Sequence, residues 1–198
     1  MLEDESELFF NKNKGVNIRE LHNVKAYRDV FLQLRMNPNK FMCSIEALLK
    51  RVQKNAKLPH INTVVDLGNV FSVKYELPLG AHNLDKLEGN LEIRFSVKND
   101  SFLGLGETEK ESVPENELVY VSENTVKTRR WILRQSDDGK ITEKTCNVFF
   151  PIDGFKNVND KEVVALRDNL ASFLKSELGC ENVKTGFVDI ENNEISLE

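Results

Sequence analysis

Leu91-Glu92-Ile93-Arg94-Phe95-Ser96-Val97-Lys98 is the stretch that decides the fold class. Apolar and polar residues alternate along it, the two-residue period of a half-buried strand. The pattern predicts Leu91, Ile93, Phe95 and Val97 on the core side. Asn99-Asp100 is turn chemistry, so residues 101–106 are expected to return as a short strand. Residues 107–117 then read as a surface loop. Further on, 118–121 and 125–135 read as strands joined by Ser122-Glu123-Asn124, Asp137-Asp138-Gly139-Lys140 as a turn, and 146–152 as another strand.

Upstream the period changes. Val24, Tyr27, Phe31 and Leu34 recur at helical spacing over 24–36. Ile45, Leu48, Leu49 and Val52 line a second helix, with Ser44 as its N-cap and Glu46 in the first turn, where the helix dipole favours an acid. Residues 62–75 are rich in β-branched side chains, which leaves a strand open. A buried helix accounts better for Asn62, Asp66 and Asn69, which step along one helical face. A last helix is expected from Asn159, with Glu162 in capping-box spacing, to Gly179, and a final strand over Val183 to Ile190. Helices at both ends and hairpin-like strands between them predict an α+β fold, a central mainly antiparallel sheet flanked by helices. Residues 1–20 read as a loose polar segment and 21–198 as one domain.

The chain has 198 residues and a net charge of -5, from 27 Lys+Arg against 32 Asp+Glu. That balance argues against coating nucleic acid by bulk charge. The charge is uneven, however. Residues 107–117 carry -4, whereas 40–57 and 127–134 each carry +4, which fits one directed basic surface on an acidic body. Cys43, Cys146 and Cys180 lie far apart, and the acidic start lacks the features of a secretory signal. A reducing, cytoplasmic setting is expected. His22, His60 and His82 fall in no metal-ligand spacing. No phosphate-binding loop, dinucleotide fingerprint or nucleophile elbow occurs, so no metal or cofactor is expected.

Three segments carry possible chemistry. The second helix is basic, with Lys50, Arg51 and Lys54 beyond Glu46; a solvated helix face is the plain alternative. Asn62, Asp66 and Asn69 form a polar stripe on an apolar helix, suited either to satisfying loop backbone or to lining a polar pocket. Lys127-Thr128-Arg129-Arg130-Trp131-Ile132-Leu133-Arg134-Gln135 sets four cations beside the one tryptophan. Such a set suits phosphates and stacked bases, or simply a sheet with surface cations. On a continuous strand Arg130 and Arg134 would share one face, with Arg129, Trp131 and Gln135 on the other.

In order, the pieces Ser44-Ile45-Glu46-Ala47-Leu48-Leu49-Lys50-Arg51, Leu58-Pro59-His60-Ile61-Asn62-Thr63-Val64-Val65-Asp66-Leu67-Gly68-Asn69, Arg129-Arg130-Trp131, Arg134-Gln135-Ser136, Asn147-Val148-Phe149-Phe150 and Ile152-Asp153-Gly154 resemble a known family. These are the free-standing relatives of the B-three/B-four domain, the tRNA-binding and editing domain of the phenylalanyl-tRNA synthetase beta chain. The likeness covers roughly residues 27–178. It departs at Cys43, where a proline is usual, and at Ile132-Leu133, which replace a more polar and aromatic pair.

The resemblance implies a protein that binds tRNA at its aminoacylated 3′ end and hydrolyses mischarged aminoacyl-tRNA in trans, without metal, cofactor or covalent nucleophile. The alternative is a non-catalytic tRNA- or amino-acid-binding module. Asp66, Asn62, Asn69 and Glu46 are the candidates for positioning water or the substrate amine. Ser44, Lys50, Arg51, Lys54, Arg129, Arg130, Trp131, Arg134 and Gln135 are the candidates for holding the tRNA.

Overall fold

The computed structural model describes residues 1–196. They divide into two compact units, Met1–Asp153 and the remainder from Gly154. Four helices belong to the first unit: α1 (Leu2–Lys12), α2 (His22–Gln33), α3 (Ser44–Asn55) and α4 (Thr63–Tyr75). A fifth, α5 (Asp160–Ser176), belongs to the second. Among the described residues no helix is long and apolar enough to cross a membrane.

Residues 1–20 are not loose. Glu3, Asp4 and Glu5 occupy the first turn of α1, and Phe9 is buried. That helix packs on α3 and α4, because a single well-placed aromatic gives a polar helix something to bury. The helical reading of 62–75 holds in α4. Its N-cap is Asn62, whose Oδ1 accepts the Val65 N–H at 2.9 Å. Leu67, Val70, Phe71 and Val73 are buried.

The strands are β1 (His82–Asn83), β2 (Leu91–Phe95), β3 (Ser101–Phe102), β4 (Glu111–Ser112), β5 (Leu118–Ser122), β6 (Thr125–Arg129), β7 (Arg134–Gln135) and β8 (Val148–Phe149). One sheet runs β2-β5-β6-β3-β4, with β7 also paired to β6; β1 and β8 form a separate ribbon. Every pairing is antiparallel except β3 with β6. The fold is therefore α+β with a mainly antiparallel sheet. Central β5 is buried on both faces. Val119 and Val121 join Phe102, Val113 and Val126 in one core, while Tyr120 faces the other way, against the His82 ring.

Several local expectations change. The alternation in β2 does not put its apolar residues inside. Ile93, Phe95 and Val97 are 48%, 53% and 50% exposed, and Arg94 turns inward to a two-pronged pair with buried Asp100, at 2.7 and 2.9 Å. Residues 125–135 are two strands rather than one. The chain reverses through 130–133, with Arg130 and Trp131 both left-handed at φ +49° and +61°. The strand over 146–152 shrinks to β8 and an isolated bridge from Leu79 to Ile152.

The helix ends also differ. Ser44 is the first residue of α3, not its cap, and is exposed; Cys43 takes the cap position. Asn159 caps α5 in position only, since its Oδ1 accepts the Phe155 N–H instead. Residues 183–190 form no strand.

Candidate functional site

Glu46 sits in the first turn of α3 and is fully buried. A buried carboxylate needs partners, and it has three. Arg28 of α2 reaches both its oxygens through Nη1, at 3.1 and 2.8 Å. Lys50, one turn on, donates at 2.6 Å, and Arg19 lies at 3.5 Å. Glu46 thus ties α2 to α3 and has no face open to water. Of the α3 cations, Lys50 is the one this hub occupies. Arg51, Lys54 and Lys57 stay exposed, and each is without an acidic partner among the described residues.

The 127–135 segment is not a free basic face. Arg129 is buried and clamped by Glu117 at 2.8 and 2.9 Å and by Glu111 at 2.7 Å. The Glu117 hydrogen bonds, more than any other contact, hold its guanidinium in the charged form. Arg130 lies over the Phe41 ring at 4.5 Å, and its backbone N–H donates to Glu117. Arg134 pairs with Glu107 and Glu111. Gln135 spends its amide on the carbonyls of Ala81 and Gly139. The acids of 107–117 therefore fold over Arg129, Arg130 and Arg134, while the Lys127 ammonium donates to the Lys86 carbonyl.

Trp131 is buried as well. It stands against Tyr27 and Phe31, with ring centroids at 5.9 and 6.2 Å. Its Nε1 donates to Asp153 Oδ1 at 2.6 Å, an oxygen that also accepts the Tyr120 hydroxyl at 2.8 Å. The Tyr27 hydroxyl binds the Asp153 carbonyl at 2.6 Å. Burial pushes the Asp153 carboxyl up to about 6, against the pull of the two donors. Burial pushes neighbouring His82 down to about 4, helped by the charge of Lys127. The turn that carries Trp131 meets α3 where the Ser44 N–H donates to the Ile132 carbonyl at 3.2 Å.

The polar stripe serves the entry to α4. Asn62 is the cap. Asp66 Oδ1 accepts the Ile61 N–H at 3.0 Å, and Oδ2 bonds His60 Nδ1. Asn69 is half-buried and faces neither of these groups through a hydrogen bond. His60 is the residue that reading by segments passed over. It lies six positions before Asp66, across Leu58-Pro59 from α3, and its ring is 77% exposed. The available signal was a histidine in the loop just before a helix whose first turn carries an acid.

Glu46 belongs to the head of α3, and Asn62, Asp66 and Asn69 belong to α4 and its cap. A cleft of about 180 Å³ is bordered by Leu34, Met36, Phe95, Asn116, Leu118 and Arg130. It contains Arg130 but none of Glu46, Asn62, Asp66 and Asn69. The structure brings Ser44, Glu46 and the Trp131 turn together at the head of α3, and Asn62, Asp66 and His60 together at the head of α4.

Helices packed beside a mainly antiparallel sheet, with these two helix-head clusters, make the first unit an α+β domain of one recognisable kind. The chain belongs to the B3/4 domain family, whose profile it matches over residues 26–175. It is similar to the phenylalanine–tRNA ligase beta subunit of Malacoplasma penetrans, 24% identical over 168 residues, covering 76% of this chain and 20% of that one. A second such subunit, from Fusobacterium nucleatum, is 29% identical over 99 residues, covering 50% and 12%. Among solved structures, an N-terminal fragment of the phenylalanyl-tRNA synthetase beta subunit from Pyrococcus horikoshii aligns with a TM-score of 0.45 and 10% identity, over 87% of this chain and 71% of the fragment. The chain spans about a fifth of the length of the first of these relatives.

Proposed function

We propose that this chain binds tRNA through the face of α3 that carries Arg51 and Lys54, with Lys57 just beyond the helix. One observation supports the choice of face. These cations remain exposed and unpaired, whereas Arg129, Arg130 and Arg134 are taken up by acids and Lys127 is buried. Family membership supports tRNA as the partner, because the matched relatives are tRNA ligase subunits.

A gel-shift salt series tests it. Each phosphate contact adds roughly 0.9 to the slope of log affinity against log salt, so three cations give a slope near -2.7. Charge reversal of both Arg51 and Lys54 is expected to reduce that slope by about 2. Lys50 is the wrong residue to reverse, since an acid there would face buried Glu46. Unchanged binding in the Arg51 and Lys54 double variant removes α3 as the RNA face.

A second reading, hydrolysis of aminoacyl-tRNA in trans, is favoured by the His60–Asp66 pair. A carboxylate on Nδ1 fixes the tautomer and leaves Nε2 free as a base. His60 would take a proton from water as it attacks the ester carbonyl, then return it to the departing ribose oxygen. An aminoacyl ester is already activated, so positioning and proton transfer suffice. His60→Ala and Asp66→Asn are expected to abolish amino-acid release from mischarged tRNA and to leave tRNA binding intact. Purified protein that binds tRNA but turns over none leaves the binding module alone.

A further inference from the structure

We propose that the cleft beside Arg130 binds a small carboxylate with an apolar body, the guanidinium taking the carboxylate and the cleft wall taking the rest. Leu34, Met36, Phe95 and Leu118 supply that wall, and Arg130 is the one cation among the lining residues. The cleft shares no residue with the α3 face proposed for tRNA, and the proposal does not rest on that reading.

Arg130 is held in place but not used up. Its backbone N–H donates to Glu117 Oε1 at 3.1 Å, and the Trp131 N–H donates to the Leu118 carbonyl at 2.6 Å. Those two bonds pin the left-handed turn and set Arg130 beside Leu118. The Arg130 side chain is 24% exposed, and its Nε lies 3.6 Å from Glu117 Oε2, an ion pair too long for a hydrogen bond. Among the described residues its guanidinium makes no hydrogen bond. Arg129, its chain neighbour, bonds through all three side-chain nitrogens. A guanidinium drawn largely out of water without an acceptor is costly, and an acceptor on a ligand removes that cost. Phe41 covers one face of the guanidinium, at 4.5 Å. Stacking leaves the in-plane N–H edge open, and that edge is the fork that grips a carboxylate through two parallel bonds.

The wall decides what the carboxylate carries. Phe95 is 53% exposed, and Leu34 and Met36 are half-buried, so apolar surface stands open beside the cation. A wholly polar anion such as phosphate would gain nothing from that surface. At about 180 Å³ the cleft is smaller than the roughly 300 Å³ at which drug-sized pockets begin, which limits the ligand to the size of a branched aliphatic acid. Glu117 already accepts three N–H groups, from Arg129 Nε and Nη2 and the Arg130 backbone, so its charge is largely offset. Glu115 and Asn116 complete the rim. Glu115 is exposed and without a cationic partner among the described residues. The same cleft therefore suits a short fatty acid or an α-amino acid, whose ammonium would face Glu115.

An amide NMR titration of the full chain tests this directly. L-leucine and isocaproate share the apolar body and the carboxylate and differ in the ammonium; isoamylamine lacks the carboxylate. At least one of the two acids is expected to saturate, with a Kd on the order of 0.1–1 mM, and to move the amides of Asn116, Leu118 and Arg130. Saturation by leucine alone makes the ligand an amino acid held also at Glu115. Saturation by isocaproate, with or without leucine, makes the carboxylate and the apolar body sufficient. Arg130→Gln keeps a stem and a donor but loses the fork, and should weaken binding roughly 10–100-fold. Phe95→Ser removes exposed wall without touching the core and should weaken it roughly 3–10-fold. Circular dichroism confirms that each variant is folded. The proposal is overturned if neither acid saturates at roughly tens of millimolar, or if the shifts fall only on residues away from the cleft. It is also overturned if isoamylamine binds as well as the acids, or if Arg130→Gln binds like wild type.

Discussion

Glu46→Ala is expected to lower the unfolding free energy by about 3–5 kcal/mol, the cost of breaking a buried ion pair by removing one partner. The carboxylate is fully buried, and its principal partner Arg28 is 15% exposed. Removing the acid leaves Arg28 facing Lys50, with Arg19 nearby, and no other carboxylate among the described residues bonded to any of the three. Arg28 keeps only the Pro38 carbonyl and the Asn39 side chain. For a chain of this size the midpoint of thermal unfolding should fall by roughly 10 °C. Glu46→Gln keeps an acceptor oxygen without the charge and should fall between alanine and wild type. The same measurement separates structure from chemistry. If Glu46 served a reacting water, Glu46→Gln would unfold at the wild-type temperature and lose hydrolysis alone.

How much of this was legible in the sequence depends on the distance over which each feature is decided. The α4 helix was readable because Asn62, Asp66 and Asn69 keep a helical step, and a step is a local property. The alternation in β2 was readable too, but it defines two faces without saying which is inside. That is settled by Asp100 in the following turn, which draws Arg94 inward. The reversal at 130–133 was not readable. Its cause is Trp131 reaching Tyr27, Phe31 and Asp153, partners drawn from both directions along the chain.

The charge map misled for the same reason. Arg129 and Arg134 lie next to other cations in the sequence and next to Glu107, Glu111 and Glu117 in space. Net charge by segment assumes that a segment's neighbours in the chain are its neighbours in the fold. A hairpin sheet is where that assumption fails, because antiparallel pairing brings residues 10 to 30 positions apart into contact. On α3, where neighbours are one turn away, the reading survives for Arg51 and Lys54 and fails only for Lys50, whose i-4 partner Glu46 was itself visible.

Asp153→Asn should stabilise the chain at neutral pH, and the gain should vanish in acid. The wild-type carboxyl is raised from an ordinary 3.8 to about 6, so the folded state holds a proton that the unfolded state has released. Stability from this group is complete below pH 4 and is lost as pH rises through 6. Two units correspond to about 3 kcal/mol. Asparagine keeps an oxygen for the Trp131 and Tyr120 donors and removes the buried charge. Its advantage in urea unfolding is thus about 3 kcal/mol at pH 7 and near zero at pH 4.

His82 works in the opposite sense. Lowered from 6.5 to about 4, it adds stability that is full above pH 6.5 and is lost as pH falls toward 4. In the wild type these two shifts oppose each other between pH 6.5 and 4. Asp153→Asn removes one side of that balance, so its own stability should drop steeply between pH 6.5 and 4. Asp153→Ala instead strands the Trp131 and Tyr120 donors and should destabilise at every pH, by about 1–3 kcal/mol for each donor. Trp131 is the sole tryptophan and touches the carboxylate. Wild-type emission should therefore titrate with a midpoint near 6, and Asp153→Asn should abolish the step. A flat emission profile in wild type, or an asparagine variant less stable at pH 7, would show that the carboxyl is not held in its buried, proton-binding state.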